Sequence, residues 1–227
     1  MTFSIAARCA RTGQVGIAVS SSSPAVAARC AHVRAGVGAV ASQNITDPRL
    51  GYAGLDLMQR ELPAAEALEQ LKIQAGATVE YRQLALVDAT GRTASHSGRF
   101  TLGTHAAAGG PDAVAAGNLL ASANVPGAML EHFAGTGGAE LGDRLIAAMI
   151  AGLEAGGETG PVRSAGMLIA GRQAWPVTDL RVDWSDNPIS ELAEIWDLWK
   201  PQAEDYVTRG LDPSSAPAYG VPGDEAG

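Results

Sequence analysis

The order of hydrophobic periodicities constrains this chain more than any motif in it. Two-residue alternation and helical spacing succeed one another as strands, two helices, strands, two helices, strands, one helix. A doubly wound parallel sheet alternates single strands with single helices, whereas here whole hairpins separate helix pairs. The arrangement that buries every apolar stripe is α+β, with two mostly antiparallel sheets face to face and helices on their outer faces.

The alternation begins at once. Phe3, Ile5, Ala7 and Cys9 share one face, and Thr2, Ser4, Ala6 and Arg8 share the other. Strands are expected over Phe3–Cys9 and Val15–Ser20, with Gly13 suiting the tight turn between them. Residues 21–36 fit either a short helix or an irregular crossing, and "VGAVASQN" alternates as a third strand. Tyr52, Leu55, Met58 and Leu62 form one helical stripe. Pro63 then opens a second helix at its first turn, with Ala64, Leu68, Leu71 and Ala75 on its inner face. Residues 82–98 read as a hairpin turning at Asp88–Gly91, and residues 100–121 as one or two short strands with a glycine bend. Helices resume near Pro126 and again through Leu141, Leu145, Met149 and Leu153, ending in a Gly156–Gly157 cap. Residues 164–171 and 179–184 pair as strands. Asn187 and Pro188 start a last helix, with Ile189, Leu192, Trp196 and Trp199 on its apolar face. The domain is expected to span residues 1–210, leaving residues 211–227 as an aperiodic, exposed tail.

Charge and composition remove several function classes. The net charge is −8 and only two lysines occur, Lys72 and Lys200, which argues against a nucleic-acid partner. No apolar run is long enough to span a membrane, and the opening residues lack a signal peptide's basic stub and apolar block, so a cytoplasmic location is expected. Cys9 and Cys30 lie too far apart in sequence for a redox or zinc pattern, and Cys9 falls on the apolar face of the first strand. "GVGAVA", at Gly36–Ala41, matches a dinucleotide fingerprint, but its glycines lead into a strand rather than a helix. There is no phosphate-binding G-x-x-x-x-G-K loop and no G-x-S-x-G elbow. His32, His96, His105 and His132 lack metal spacing, although His96 and His105 could meet across strands. Asp179 and Asp183 share a strand face and read as a solvated edge. No metal and no cofactor are expected.

Thr2 is singled out by position. Methionine before a small residue is normally trimmed in the cell, which would leave threonine with a free α-amine beside its own hydroxyl. Such an amine titrates at about 7.7–8.0, near enough to neutrality to act as general base for the hydroxyl. One residue then supplies both nucleophile and base.

The segments "MTFSIAAR", "TGQVGIAVSSS", "RAGVGAVASQNITDPRLGYAGLDLM", "GRTASHSG" and "DLRVDWSDNPISELAEIWDLW" together resemble a bacterial family labelled domain of unknown function one-zero-two-eight, over about residues 2–200. The resemblance implies a four-layer αββα sandwich like that of the N-terminal-nucleophile hydrolases. These enzymes cleave amide bonds with a terminal Thr, Ser or Cys, and Thr2 lines up with that position. Asn118, in "AAGNLL", is then the first candidate to stabilise an oxyanion, although Ala116 stands where relatives tend to carry glutamine. Ser42, Gln43 and Asn44, after the third strand, are substrate-binding candidates. Arg34 is placed to fork onto a substrate carboxylate, and His96 either lines the site or caps its hairpin. Two readings follow: an amidohydrolase acting on a small amide or peptide-like substrate, or a non-catalytic protein of the same fold that binds a small ligand or joins an assembly. Exposed sheet ends and the Trp196–Trp199 face lead to the expectation of a homo-oligomer.

Overall fold

The expected alternation becomes a central strand buried on both faces. A computed structural model describes residues 1–222. The strands are β1 (Thr2–Arg8), β2 (Val15–Ser21), β3 (Ala31–Arg34), β4 (Gly38–Asn44), β5 (Arg82–Asp88), β6 (Thr93–Ser97), β7 (Ala106–Gly110), β8 (Ala113–Asn118), β9 (Ser164–Ala170) and β10 (Pro176–Val182). The helices are α1 (Ala27–Cys30), α2 (Pro48–Gln59), α3 (Ala64–Ala75), α4 (Val125–Gly135), α5 (Leu141–Glu154), α6 (Pro188–Trp199) and α7 (Ala203–Leu211). One sheet has the order β10-β9-β2-β1-β8-β7 and the other β3-β4-β5-β6, with every pairing antiparallel.

Strand parity sorts the core into three slabs. Phe3, Ile5 and Ala7 point outward with Ala113 and Ala115 and meet Met129, Phe133, Leu145 and Met149 of α4 and α5. Ala6, Ile17, Val19, Ala39, Ala41, Ala85, Val87 and Ala116 fill the space between the sheets. Val40, Leu84 and Leu86 point to the far side and meet Leu55, Leu68 and Leu71 of α2 and α3. Four layers around three apolar slabs make the αββα sandwich that layer packing and the resemblance both imply.

The details depart from the sequence reading where backbone approach matters. Residues 21–36 resolve into a turn, α1 and the extra strand β3. Tyr52 is 60% exposed and α2 ends before Leu62, because α2 docks through glycines instead. A Cβ on Gly51 would lie 2.1 Å from Nδ1 of His32, and one on Gly54 would lie 3.2 Å from Val40. Pro63 caps α3 rather than starting it. The Trp196 face of α6 is not free for a partner: Trp196 is buried in the outer slab and its Nε1 donates to Asp143 of α5 at 2.7 Å. Tyr219, beyond α7, lies over the Arg209 guanidinium; residues 223–227 of the expected tail lie outside the described residues. No helix among the described residues is long and apolar enough to cross a membrane.

Asp88 ties the second sheet to its helices. Its Oδ1 accepts from the Thr90 and Arg92 N–H groups at 2.9 and 3.1 Å, and its Oδ2 accepts from the Ala64 N–H, at the start of α3, at 3.1 Å. Burial opposes its charge, but bonds from Thr90, Ala64 and Arg92 outweigh that and hold the carboxyl below its usual range. A depressed carboxylate pKa contributes stability above the unfolded value of about 3.9 and loses it as pH falls through the folded value. Asp88→Ala is therefore expected to cost about 2–3 kcal/mol in urea unfolding at pH 7. The gap should narrow at pH 3, and a gap unchanged with pH would rule the charge out as its source.

Candidate functional site

The site lies where the alanine layer between the sheets gives way to polar side chains. Thr2, 5% exposed, opens β1 directly opposite Asn118 of β8. The β1–β2 register aligns Phe3 with Ser20, so the next pair along brings Ser21 beside Thr2. The Thr2 hydroxyl lies 3.4 Å from Ser21 Oγ, and both hydroxyls donate to the Met1 carbonyl oxygen. Ser21 Oγ also stands 2.8 Å from Ser23 Oγ, which Arg29 holds in turn.

Behind Thr2 a buried hydrogen-bond chain links the two sheets. Ser4 Oγ donates to Gln43 Oε1 at 2.7 Å, and Gln43 Nε2 donates to Gln83 Oε1 at 2.9 Å and to the Ala116 carbonyl at 3.2 Å. Gln83 Nε2 donates to the Gly117 carbonyl and to Ser97 Oγ, each at 3.0 Å. Asn118 Nδ2 joins at 3.1 Å on Gln83 Oε1. Its Oδ1 is buried without a partner among the described residues. Asn118 thus directs an unpaired acceptor to this end of the sandwich, and its NH₂ uses one of its two N–H groups on Gln83.

Glu158 arrives from a separate part of the chain. α5 closes with Gly157 N–H bonded to the Gly152 carbonyl and Gly156 N–H bonded to the Leu153 carbonyl, the glycine-terminated C-cap expected from the sequence. The chain then turns onto residues 119–120: Thr159 N–H donates to the Leu119 carbonyl, and Glu158 bridges to Leu120. Leu119, immediately after Asn118, has φ +51°, an uncommon conformation for a branched side chain that makes this contact possible. Glu158 is 5% exposed and its Oε2 accepts from the Ser22 N–H at 3.1 Å. Burial pushes its pKa up to about 7, against the pull of the Met1 α-amine and the Ser22 bond.

Thr2, Asn118 and Gln43 thus come together, while the other candidates do not. Ser42 points to the helix side of β4 and holds the Asp47 carbonyl at 2.8 Å. Asn44 clasps the Tyr81 carbonyl and the Leu102 N–H. His96 sits opposite Leu84, whose side chain belongs to the helix-facing slab, so its ring points away from Thr2. Arg34, at the far end of the β3–β4 hairpin, binds Asp56 and Gln59 of α2. The glycines of "GVGAVA" form that hairpin's turn and the start of β4, with no helix following. Among the described residues no group of three or more His, Cys, Asp or Glu could hold a metal. Ser21, Gln83 and Glu158 escaped the sequence reading. Ser21 follows from counting back through the first hairpin, and Gln83 from its place two residues before inward-facing Ala85; Glu158, in a loop, carries no periodic signal.

The family model of the family of unknown function DUF1028 matches residues 2–192. The chain belongs to that family. A crystal structure of a family member from Silicibacter pomeroyi superposes with a TM-score of 0.80 at 29% identity, over 88% of this chain and 89% of that one. Anbu, an ancestral β-subunit from Yersinia bercovieri, is matched over 91% of this chain and 97% of its own, at a TM-score of 0.39 and 12% identity, too distant to bear on function. No curated protein matches the chain.

Glu158 gives this member of the family a pH signature. Its folded pKa is raised, so its contribution to stability is complete below the unfolded value of about 4.3 and lost as pH rises through about 7. In the chain that carries Met1, Glu158→Gln should leave stability at pH 4 nearly unchanged and raise it at pH 8 by on the order of 2–3 kcal/mol. Urea unfolding of both proteins at the two pH values checks this, and equal gains at both would contradict a titrating Glu158.

Proposed function

We propose that this DUF1028 member is an amide hydrolase whose nucleophile is Thr2, exposed by loss of Met1. The observation that carries this reading is the place of Thr2: a hydroxyl fixed at the start of a fully buried strand, in register with Asn118 and within reach of Ser21. The αββα layering supports it as the architecture implied by the family resemblance.

The chemistry follows from one residue. The neutral α-amine of Thr2 takes the proton from Oγ1 as that oxygen bonds to the substrate's carbonyl carbon. The amide π electrons move onto oxygen, where a hydrogen bond lowers the barrier. Ser21 Oγ, which donates to the Met1 carbonyl oxygen, is the donor best placed for that role. Collapse expels the amine, which takes the proton from the Thr2 ammonium, and water then hydrolyses the ester on Oγ1.

The test uses the untagged protein, its amino terminus read by intact mass, against a panel of amino-acid and peptide amides. Thr2→Ala should fold with the same melting profile and lose hydrolysis by at least about a thousandfold, while Thr2→Ser keeps part of it. Retained Met1, or turnover unaffected by Thr2→Ala, would overturn the nucleophile, and no turnover of any amide by the chain freed of Met1 would leave the ligand-binding alternative.

A further inference from the structure

Met1 lies in the site much as the acyl part of a substrate would. Its carbonyl oxygen is held by the Thr2 and Ser21 hydroxyls. Its Cε packs at Gly160, 3.2 Å from where a Cβ on that glycine would stand. Its α-amine is near enough to Glu158 to lower that group's pKa through space, yet it forms no ion pair with it. Glu158 and Gly160 both line a cleft of about 360 Å³, with Leu153, Val162 and Ile189 among its apolar walls. Asp186, the other acid of the cleft, is paired with Arg163.

The polar atoms here are short of donors. Glu158 Oε1 and Asn118 Oδ1 are the buried side-chain oxygens without a hydrogen-bond partner among the described residues; Asn118 lies opposite Thr2, and Glu158 lies within electrostatic range of the Met1 α-amine. A buried acceptor left unpaired is costly, and a carboxylate oxygen gains most from a cationic donor. The peptide bond to Thr2 keeps the Met1 amine from closing that gap. A substrate joined to the protein only through a forming bond at Oγ1 is under no such restraint.

We propose that this cleft is the acyl-side subsite and takes a substrate with a free amino group beside an unbranched apolar side chain, an amino-acid amide or the amino end of a peptide, whose ammonium is bound by Glu158 Oε1. The inference rests on Thr2 as nucleophile and adds the substrate class. Gly160 leaves room for the side chain, and the walls Leu153, Val162 and Ile189 give it an apolar surface.

The experiment separates binding from turnover. A chain that begins at residue 2, released from a cleavable fusion and carrying Thr2→Ala, is titrated calorimetrically with L-methioninamide and with N-acetyl-L-methioninamide. The free amine should bind at least tenfold more tightly, Glu158→Gln should abolish that preference, and Glu158→Asp should restore part of it. Equal binding of the two probes, binding of neither, or a preference that survives Glu158→Gln overturns the subsite. Hydrolysis by the threonine-bearing chain is scored separately. If Glu158→Gln shifts its pH profile and leaves the free-amine preference intact, Glu158 serves the Thr2 amine; the subsite falls and the nucleophile stands. If the preference is present but Thr2→Ala does not affect turnover, the nucleophile falls, and with it the subsite's acyl-side assignment.

Discussion

Everything else in this molecule is arranged around the burial of β1 on both faces. The strand lies between β2 and β8 within the larger sheet, so it has no free edge, and its two faces meet different layers. Phe3 and Ile5 fill the space under α4 and α5, whereas Ser4 and Ala6 look into the slab between the sheets, where alanines mix with Ile17, Val19 and Val87. Stacked sheets typically lie about 10 Å apart. Beside Ala39, Ala41, Ala85 and Ala116, the Gln43 side chain spans this slab to the Ala116 carbonyl.

Hydrogen bonds across that slab lock the sheets in position. Apolar packing between two alanine-lined faces is weakly directional and would tolerate sliding by a residue. Gln43 and Gln83 remove that freedom, since each reaches from the smaller sheet to a named carbonyl of the larger one, Ala116 and Gly117. A net hydrogen bond is worth about 1 kcal/mol, but leaving a buried partner unmet costs about 1–3 kcal/mol, so an incorrect register is penalised at several atoms together. Thr2 lies at the end of this lock, opposite Asn118, which bonds to Gln83.

The fold was legible because alternation and helical spacing are local signals that the layers amplify. Helix faces were less legible: Tyr52 has the right spacing, but Gly51 and Gly54 bring the backbone of α2 so close to His32 and Val40 that glycine defines the docking face. In the site, parity decided the outcome. Gln43 alternates with Ser42 and Asn44, so only it enters the inter-sheet slab, and His96 fails for the same reason by lying opposite Leu84. Arg34 is on the correct hairpin but at the wrong end, five residues and roughly 17 Å along the strand from Gln43. Glu158 was out of reach of any periodic argument, because its place depends on the left-handed turn at Leu119 and the bonds that segment makes.

Three departures from local comfort fall at the Thr2 end of the sandwich. Leu119 holds a left-handed conformation next to Asn118, Glu158 is buried with one oxygen unpaired, and Asn118 turns an unpaired carbonyl to the same end of the sandwich. Elsewhere buried acids are satisfied: Asp88, also buried, is saturated by N–H and guanidinium donors and held ionised. The contrast between the two carboxyls is physical. Asp88 has its donors fixed in the chain and only maintains the fold, whereas Glu158 has one backbone donor and a pKa drawn up to about 7, so its charge answers to what comes beside it. A group that gains its second partner only when a cation arrives disfavours an empty site and favours a filled one. In the chain with Met1 in place, that residue's tethered α-amine supplies the cation through space without bonding to it.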